Sequence, residues 1–274
     1  MHYLPSPEQT RRMTTEELRS SFLVPDLFQP GAATLRFVEL DRVVLGGIVP
    51  ADGALRLEAP PEMAAEFFLE RREAGILNIG GAGRVTADGT EYAMAARDGL
   101  YLGRGTREIS FTSDDPSAPA KFYLVSYPAH ATHPAAQVPE SEAQLNELGT
   151  PEQANQRRLR KYFHPEGVPT AQLVMGVTEL QAGSVWNTMP AHTHARRTEV
   201  YLYFDVPQDA VVFHMMGEPT ETRHLVMRDA EVALSPGWSI HSGCGTRSYT
   251  FCWAMGGENQ VFADMQGVAM EDLR

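Results

Sequence analysis

Long apolar runs, cysteine and surplus positive charge are all scarce in this sequence, and each scarcity excludes something. No stretch approaches the roughly 18 consecutive apolar residues of a membrane-spanning helix. The opening segment, MHYLPSPEQTRRMTTEELRSSFLV, holds no apolar run of signal-peptide length. Only two cysteines occur, Cys244 and Cys252, too few for a disulfide framework. They are expected to be reduced, as in a cytoplasmic protein. Acidic residues outnumber basic ones 35 to 23, for a net charge of −12. Nucleic acid is therefore not expected as a partner, because phosphate backbones need a basic surface. A small anion is not excluded, since a few local arginines suffice to hold one.

Apolar residues make up 43% of the 274 and charged residues 21%, enough for a packed core in one large or two ordinary domains. Residues 1–30 read as an arm. Within it TTEELRSSFLV carries a helix start at Thr14 or Thr15, ahead of Glu16 and Glu17. From Thr34 onward, runs such as TLRFVEL, DRVVLGGIVP, GLYLG and KFYLVSY alternate with Gly, Pro and Asp-Gly turns. Many short strands with frequent turns predict an all-β sandwich or barrel. Asp88-Gly89 is a two-residue hairpin signal. The polar, acidic stretch 135–156 reads as a linker, after which strand-like runs resume. The expected division is an arm at 1–30, a first barrel at 31–134, the linker at 135–156 and a second barrel at 157–274.

The two halves resemble each other. RREAGILNI (71–79) matches RRTEVYLYF (196–204), and RDGLYLGRGTREISF (97–111) matches SPGWSIHSGCGTRSYTF (235–251), in the same order. This predicts an internal duplication, with Glu73 set against Glu199 and Thr106 against Thr246.

The segment WNTMPAHTHARRTEVYLYF (186–204) carries the sharpest chemistry. His192 and His194 are two apart in what should be a strand, so both imidazoles face the same way. Glu199 follows, and a turn at ARRT would bring its carboxylate back to them. His241 lies beyond, after the turn signal Pro236-Gly237. Three imidazoles and one carboxylate suit Zn²⁺, and also Mn²⁺, Fe²⁺, Co²⁺ or Ni²⁺. The first half has no histidine ahead of Glu73, and Gly103 or a neighbour stands where His241 would, so the first barrel is expected to be metal-free.

H-x-H-x₄-E followed by a Pro-Gly…His segment resembles the two-part cupin metal motif, which implies two tandem cupin barrels with the metal in the mouth of the second. Further segments extend the likeness over the whole chain: FFLERREAGILNIGGAG, PAHATHP, RRLRKYF, VFHMMG, ETRH, GWSIHSG and GENQVF. Together they resemble the 4-deoxy-5-ketouronate isomerase family of pectin breakdown. That resemblance implies interconversion of 5-dehydro-4-deoxy-D-glucuronate and 3-deoxy-D-glycero-2,5-hexodiulosonate, with one bound zinc per chain and a homohexamer.

A carboxylate-bearing substrate calls for a cation in the pocket. Arg157, Arg158, Lys161, Arg196, Arg197 and Arg223 are the candidates. A general base must also reach the reacting C–H. Glu179, Glu258, His214 and His224 remain open for that role, although both histidines also fit a core or pocket wall. His130 and His133 read as structural or as second-barrel contacts, and Cys244 as packing. Three other readings compete: a 5-deoxyglucuronate isomerase of inositol breakdown, an iron-dependent cupin dioxygenase, and a non-catalytic storage or sensing bicupin. Finally, FLVPDLF (22–28) is apolar with no evident home in its own domain, and is expected to pack on a neighbouring subunit.

Overall fold

Runs of β-branched and aromatic residues broken by glycine and proline become strands, and a computed structural model describes them over residues 1–274. In chain order the elements are β1 (His2–Tyr3), α1 (Pro7–Thr10), α2 (Thr15–Phe22), β2 (Leu23–Val24), β3 (Ala33–Glu39), β4 (Val44–Ile48), β5 (Leu55–Arg56), β6 (Arg72–Asn78), β7 (Gly83–Ala87), β8 (Thr90–Met94), β9 (Gly99–Leu102), β10 (Ile109–Ser113), β11 (Phe122–Pro128) and β12 (Ala136–Val138). They continue with β13 (Gln144–Leu148), β14 (Arg157–Phe163), β15 (Val174–Leu180), β16 (Trp186–Asn187), β17 (His192–Thr193), β18 (Arg197–Phe204), β19 (Val212–Glu218), β20 (Glu221–Met227), β21 (Glu231–Ser235), β22 (Ser242–Gly245), β23 (Thr250–Gly257) and β24 (Gln266–Gly267).

Local signals act as expected. The Thr14 hydroxyl accepts from the Glu17 N–H while the Glu17 carboxylate accepts from the Thr14 N–H, a reciprocal cap that starts α2. Asp88 and Gly89 both take positive φ, 47° and 81°, and close the β7–β8 hairpin.

The first unit comprises Asp26–Gln144 and Tyr162–Val174 with the first two residues. Its large sheet runs β1-β3-β4-β11-β6-β9-β12 and its small one β5-β10-β7-β8. The core lies between them: Phe37, Ala74, Ile76 and Phe122 of the large sheet meet Val85 and Phe111 of the small one. The second unit comprises Tyr3–Pro25, Leu145–Lys161 and Met175–Arg274. Its sheets run β13-β14-β15-β23-β18-β21-β2 and β16-β22-β19-β20. The two orders correspond strand for strand, β3-β4-β11-β6-β9 with β14-β15-β23-β18-β21 and β5-β10-β7-β8 with β16-β22-β19-β20.

These boundaries differ from the linear division. The arm joins the second unit: Leu23 and Val24 pair with Ala233 and Val232, and Phe22, fully buried, meets Trp238 edge-on at 6.2 Å. Leu27, also fully buried, belongs to the first unit, where only a glycine at 47 lets its carbonyl approach so closely. FLVPDLF therefore has a home within its own chain, which corrects the expectation of a neighbouring subunit. The physical reason is that β21 would otherwise be an edge strand with unpaired backbone groups. The expected linker likewise contributes two edge strands, β12 on β9 and β13 on β14.

The repeat is also shifted by one residue from the pairing of glutamates. The Arg97 N–H donates to the Asn78 carbonyl, and the Ala230 N–H to the Tyr203 carbonyl. The Ala95 N–H donates to the Asp98 carboxylate, and the Arg228 N–H to the Glu231 carboxylate. These matched bonds set Asn78 against Tyr203, hence Arg72 against Arg197 and Ala74, not Glu73, against Glu199. The strand ladders agree, since Ala74 pairs with Leu102 and Glu199 with Ser235. Continuing along the ladders puts Phe111 opposite His241, and the three residues before each buried arginine put Leu69 opposite His194. Thr106 matches Ser239 rather than Thr246, each donating its N–H three residues back, to Gly103 and Pro236.

A one-residue slip moves a side chain to the other face of its sheet. Glu73 accordingly points away from the core. Its carboxylate accepts from the Tyr101 hydroxyl (2.7 Å) and from the backbone N–H groups of Ala171 (2.6 Å), Gln172 (2.8 Å) and Leu173 (2.8 Å). Glu73 is thus the fully buried anchor that holds segment 162–174 in the first unit.

Candidate metal centre

His192, His194, Glu199 and His241 converge, with one ligand atom from each lying within 4.8 Å of the others. Glu199 sits near the start of β18, between Ser235 of β21 and Met255 of β23. His192 is on β17, and the His194 N–H just after it is fixed to the Gly237 carbonyl at 3.1 Å. His241 immediately precedes β22. Gly237 explains the Pro-Gly signal: a Cβ there would lie 2.4 Å from the His194 carbonyl and 2.9 Å from that of Arg197. Only glycine lets this loop close over the ligand strand.

The donor atoms face one another. Glu199 Oε2 is 3.0 Å from His241 Nε2 and 3.2 Å from His194 Nε2, and His241 Nε2 is 2.9 Å from His192 Nε2. Ligands about 2.1 Å from a shared tetrahedral ion are separated by roughly 3.4 Å, so the set needs little adjustment to hold one. The outer nitrogens are oriented too. His194 Nδ1 lies 3.0 Å from the Asp264 carbonyl, and His241 Nδ1 is 3.3 Å from Ser235 Oγ. A carbonyl only accepts, so His194 carries its proton on Nδ1 and turns the Nε2 lone pair inward, the arrangement metal-bound histidines show. The Arg197 guanidinium donates to the same carbonyl at 2.9 Å.

Burial, helped by the charge of His241, pushes His192 down to about 3, so its imidazole is neutral and free to ligate. Burial opposes ionisation of Glu199, but the charge of His241 and the hydrogen bond from its Nε2 hold the Glu199 carboxyl well below the usual range. A neutral imidazole beside an ionised carboxylate is the protonation state a divalent cation requires.

His192, His194 and Glu199 line a cavity of ≈ 240 Å³, with an apolar wall that includes Trp253, Met255 and Phe262. Thr178, Thr188, Tyr201 and Arg157 add polar groups. Burial first, then the charge of Glu199, raises the Tyr201 phenol, so it stays protonated. Of the cations proposed from sequence, Arg157 alone lines this cavity. Arg158 pairs with Glu147 and Arg223 with Glu221; Lys161 lies over the Phe262 ring, and Arg197 is buried behind His194.

None of the four candidate bases lines the cavity. Glu179 pairs with Arg160 at 3.3 Å. His214 is fully buried, with Nδ1 2.8 Å from the Tyr203 hydroxyl. His224 is exposed against the edge of Phe213, neither core nor pocket wall. Cys244 is free on β22, outside the ligand set. Tyr201 was not singled out from sequence, although its position two after Glu199 on one strand places it on the same face.

A family model described as the KduI/IolB family matches residues 41–270. The chain belongs to that family. Three of its relatives are each called 4-deoxy-L-threo-5-hexosulose-uronate ketol-isomerase. That from Kineococcus radiotolerans is 52% identical over 99% of both chains. That from Lachnoclostridium phytofermentans is 51% identical over 98% of both. That from Caldicellulosiruptor bescii is 49% identical over 98% of this chain and 97% of its own. Among solved structures, an IolB-like protein from Salmonella typhimurium superimposes with a TM-score of 0.74 at 15% identity, covering 90% of this chain and 96% of its own. Oxalate decarboxylase from Lactobacillus farciminis gives 0.59 at 13% identity, covering 90% and 89%. These two share the β fold of this KduI/IolB family member.

Proposed function

We propose that this chain is a metal-dependent ketol-isomerase that converts 5-dehydro-4-deoxy-D-glucuronate to 3-deoxy-D-glycero-2,5-hexodiulosonate in pectin breakdown. The observation that carries the reading is the convergence of His192, His194, Glu199 and His241, three of which line a cavity that also holds one arginine, Arg157. Relatives at about half identity over nearly their full length, all bearing the ketol-isomerase name, support it. Zinc as the ion, one per chain, rests on the mixed nitrogen and oxygen donors. A cytoplasmic site of action rests on two free cysteines, and a homohexamer on the family resemblance.

A bound divalent ion would supply Lewis-acid polarisation of the adjacent carbonyl and hydroxyl oxygens as the proton moves between their carbons. The rest falls to this chain's own side chains. Arg157 takes the substrate carboxylate: its Nη1 bonds the Asn155 carbonyl at 2.8 Å, and burial makes its charge costly without an anion. Tyr201, held protonated, donates a hydrogen bond to a substrate oxygen, and Thr188 lies on the same wall. Trp253, Met255 and Phe262 exclude water, which strengthens each of these interactions.

The test is anaerobic incubation of the metal-loaded protein with the 4-deoxy-5-keto uronate, following the ketose by NMR. Conversion without oxygen uptake is expected. No conversion, or turnover of 5-deoxyglucuronate in its place, overturns the assignment. Arg157→Met should raise KM about tenfold or more with a smaller effect on kcat, since a charge-assisted hydrogen bond is worth about 1.5–3 kcal/mol; an unchanged KM would remove Arg157 from substrate binding.

A further inference from the structure

The first unit carries apolar residues where the second carries metal ligands, with Leu69, Ala74 and Phe111 all fully buried in its core. Its own cavity, ≈ 490 Å³, survives at the corresponding end, where Arg72 and Pro128 occupy the places of Arg197 and Gly257. The lining is unusual in charge. Arg42, Arg71, Arg72, Arg104 and His130 contribute to it, and no Asp or Glu does.

Two of the four arginines have carboxylates to one side. Arg42 lies 3.4 Å from Glu39 and Arg71 3.3 Å from Glu70, both at the exposed surface. The other two have none. Arg104 reaches only the carbonyls of Glu70 and Ala129. Arg72 is only 6% exposed; its Nε and Nη2 bond Ser126 and the Arg42 carbonyl, and its Nη1 bonds nothing in the chain. Burial, with the charge of Arg42 added, pushes the Arg72 guanidinium down to about 10. A buried cation without a counter-charge is costly, and its usual remedy is an anion.

The backbone adds a second sign. Asp41 and Arg42 both adopt positive φ, 47° and 55°, in the tight turn between β3 and β4. Such turns favour Asn-Gly, and a bulky side chain there is strained. The turn nevertheless carries Arg42, whose guanidinium lies 5.0 Å over the Phe37 ring, with that of Arg72 5.6 Å from the same ring. Two cations thus lie over one aromatic of the lining of an acid-free cavity.

We infer that this cavity is an anion-binding site, separate from the metal centre, for a compact dianionic metabolite whose phosphate or paired carboxylates are held by Arg42, Arg72 and Arg104. Two charges follow from the count of arginines left without a carboxylate. Planar guanidiniums offer paired N–H donors that fit either chemistry. The apolar floor of Phe37, Met63 and Phe68 accommodates the carbon skeleton.

The experiment is isothermal titration of the metal-loaded full chain with inorganic phosphate and, separately, with malonate, at constant ionic strength against chloride. Saturable binding of one anion per chain is expected, weakened about tenfold or more by Arg42→Ala with Arg104→Ala, the range expected for lost charge-assisted bonds. Isomerase turnover should be unchanged, because neither residue lines the metal cavity. Should the double variant fail to fold, Arg42→Gln alone, at a half-exposed position, carries the same comparison. Phosphate alone binding points to a phosphate ester, malonate alone to a dicarboxylate, and both to a general dianion site. No saturable binding of either probe, or binding unchanged in the variants, overturns the inference.

Discussion

Glu73→Gln separates an anchoring carboxylate from a metal-binding one. Glu73 Oε2 accepts from the Tyr101 hydroxyl and the Ala171 N–H, and Oε1 from the Gln172 and Leu173 N–H groups. An amide keeps one acceptor oxygen and puts an NH₂ where two donors arrive. Two charge-assisted bonds at about 1.5–3 kcal/mol each are lost, and the Tyr101 hydroxyl can rotate to accept from the new NH₂, so a cost of roughly 3 kcal/mol is expected. For a chain of this size that is a fall in Tm of about 6–12 °C. Metal content should not change, because Glu73 lies on the face of β6 opposite the position equivalent to Glu199. Urea unfolding with elemental analysis reads both quantities, and Glu199→Gln provides the contrast of lower metal content. A Glu73→Gln protein of wild-type stability would refute the anchoring role, and one that had lost its metal would refute the assignment of faces.

Three further outcomes follow. His192→Ala or His241→Ala should lower metal affinity by more than the ~10–100-fold that losing an outer partner costs, and full metal content in both would remove these residues as ligands. Chelation should abolish isomerisation while circular dichroism stays β-rich, because each unit has its own apolar core; added Zn²⁺ or Mn²⁺ should restore turnover, and an undiminished rate in verified metal-free protein would place the chemistry on side chains alone. Burial pushes both His192 and His214 down to about 3. The unfolded metal-free chain then binds more protons than the native one between about pH 3 and 6.5, so stability is complete above that window and is lost as pH falls through it. Urea midpoints of chelated protein should be lower at about pH 5 than at pH 7, less so for His214→Phe, and equal midpoints would contradict neutral burial of both.

Most of the candidate metal cluster was legible because its chemistry is local. His192, His194 and Glu199 lie within eight residues, and strand periodicity with one turn suffices to bring them together. The capping box at Thr14, the Asp88-Gly89 hairpin and the repeated Arg-Arg pairs were legible for the same reason. Other features depend on contacts far apart in sequence. Whether Glu73 or Ala74 matches Glu199 depends on hydrogen bonds near Arg97 and Ala230, and two adjacent residues on a strand face opposite ways. Arg157 was one of six candidate cations until β14 placed it on the cavity wall. The N-terminal arm looked unpartnered because its partner, β21, lies some 200 residues further along the chain. The sequence by itself determined which side chains can hold a divalent ion. Only the tertiary structure decided which carboxylate anchors, which arginine lines the cavity beside the histidine–glutamate cluster and where the uncompensated guanidiniums gather, because those outcomes depend on long-range register and on burial.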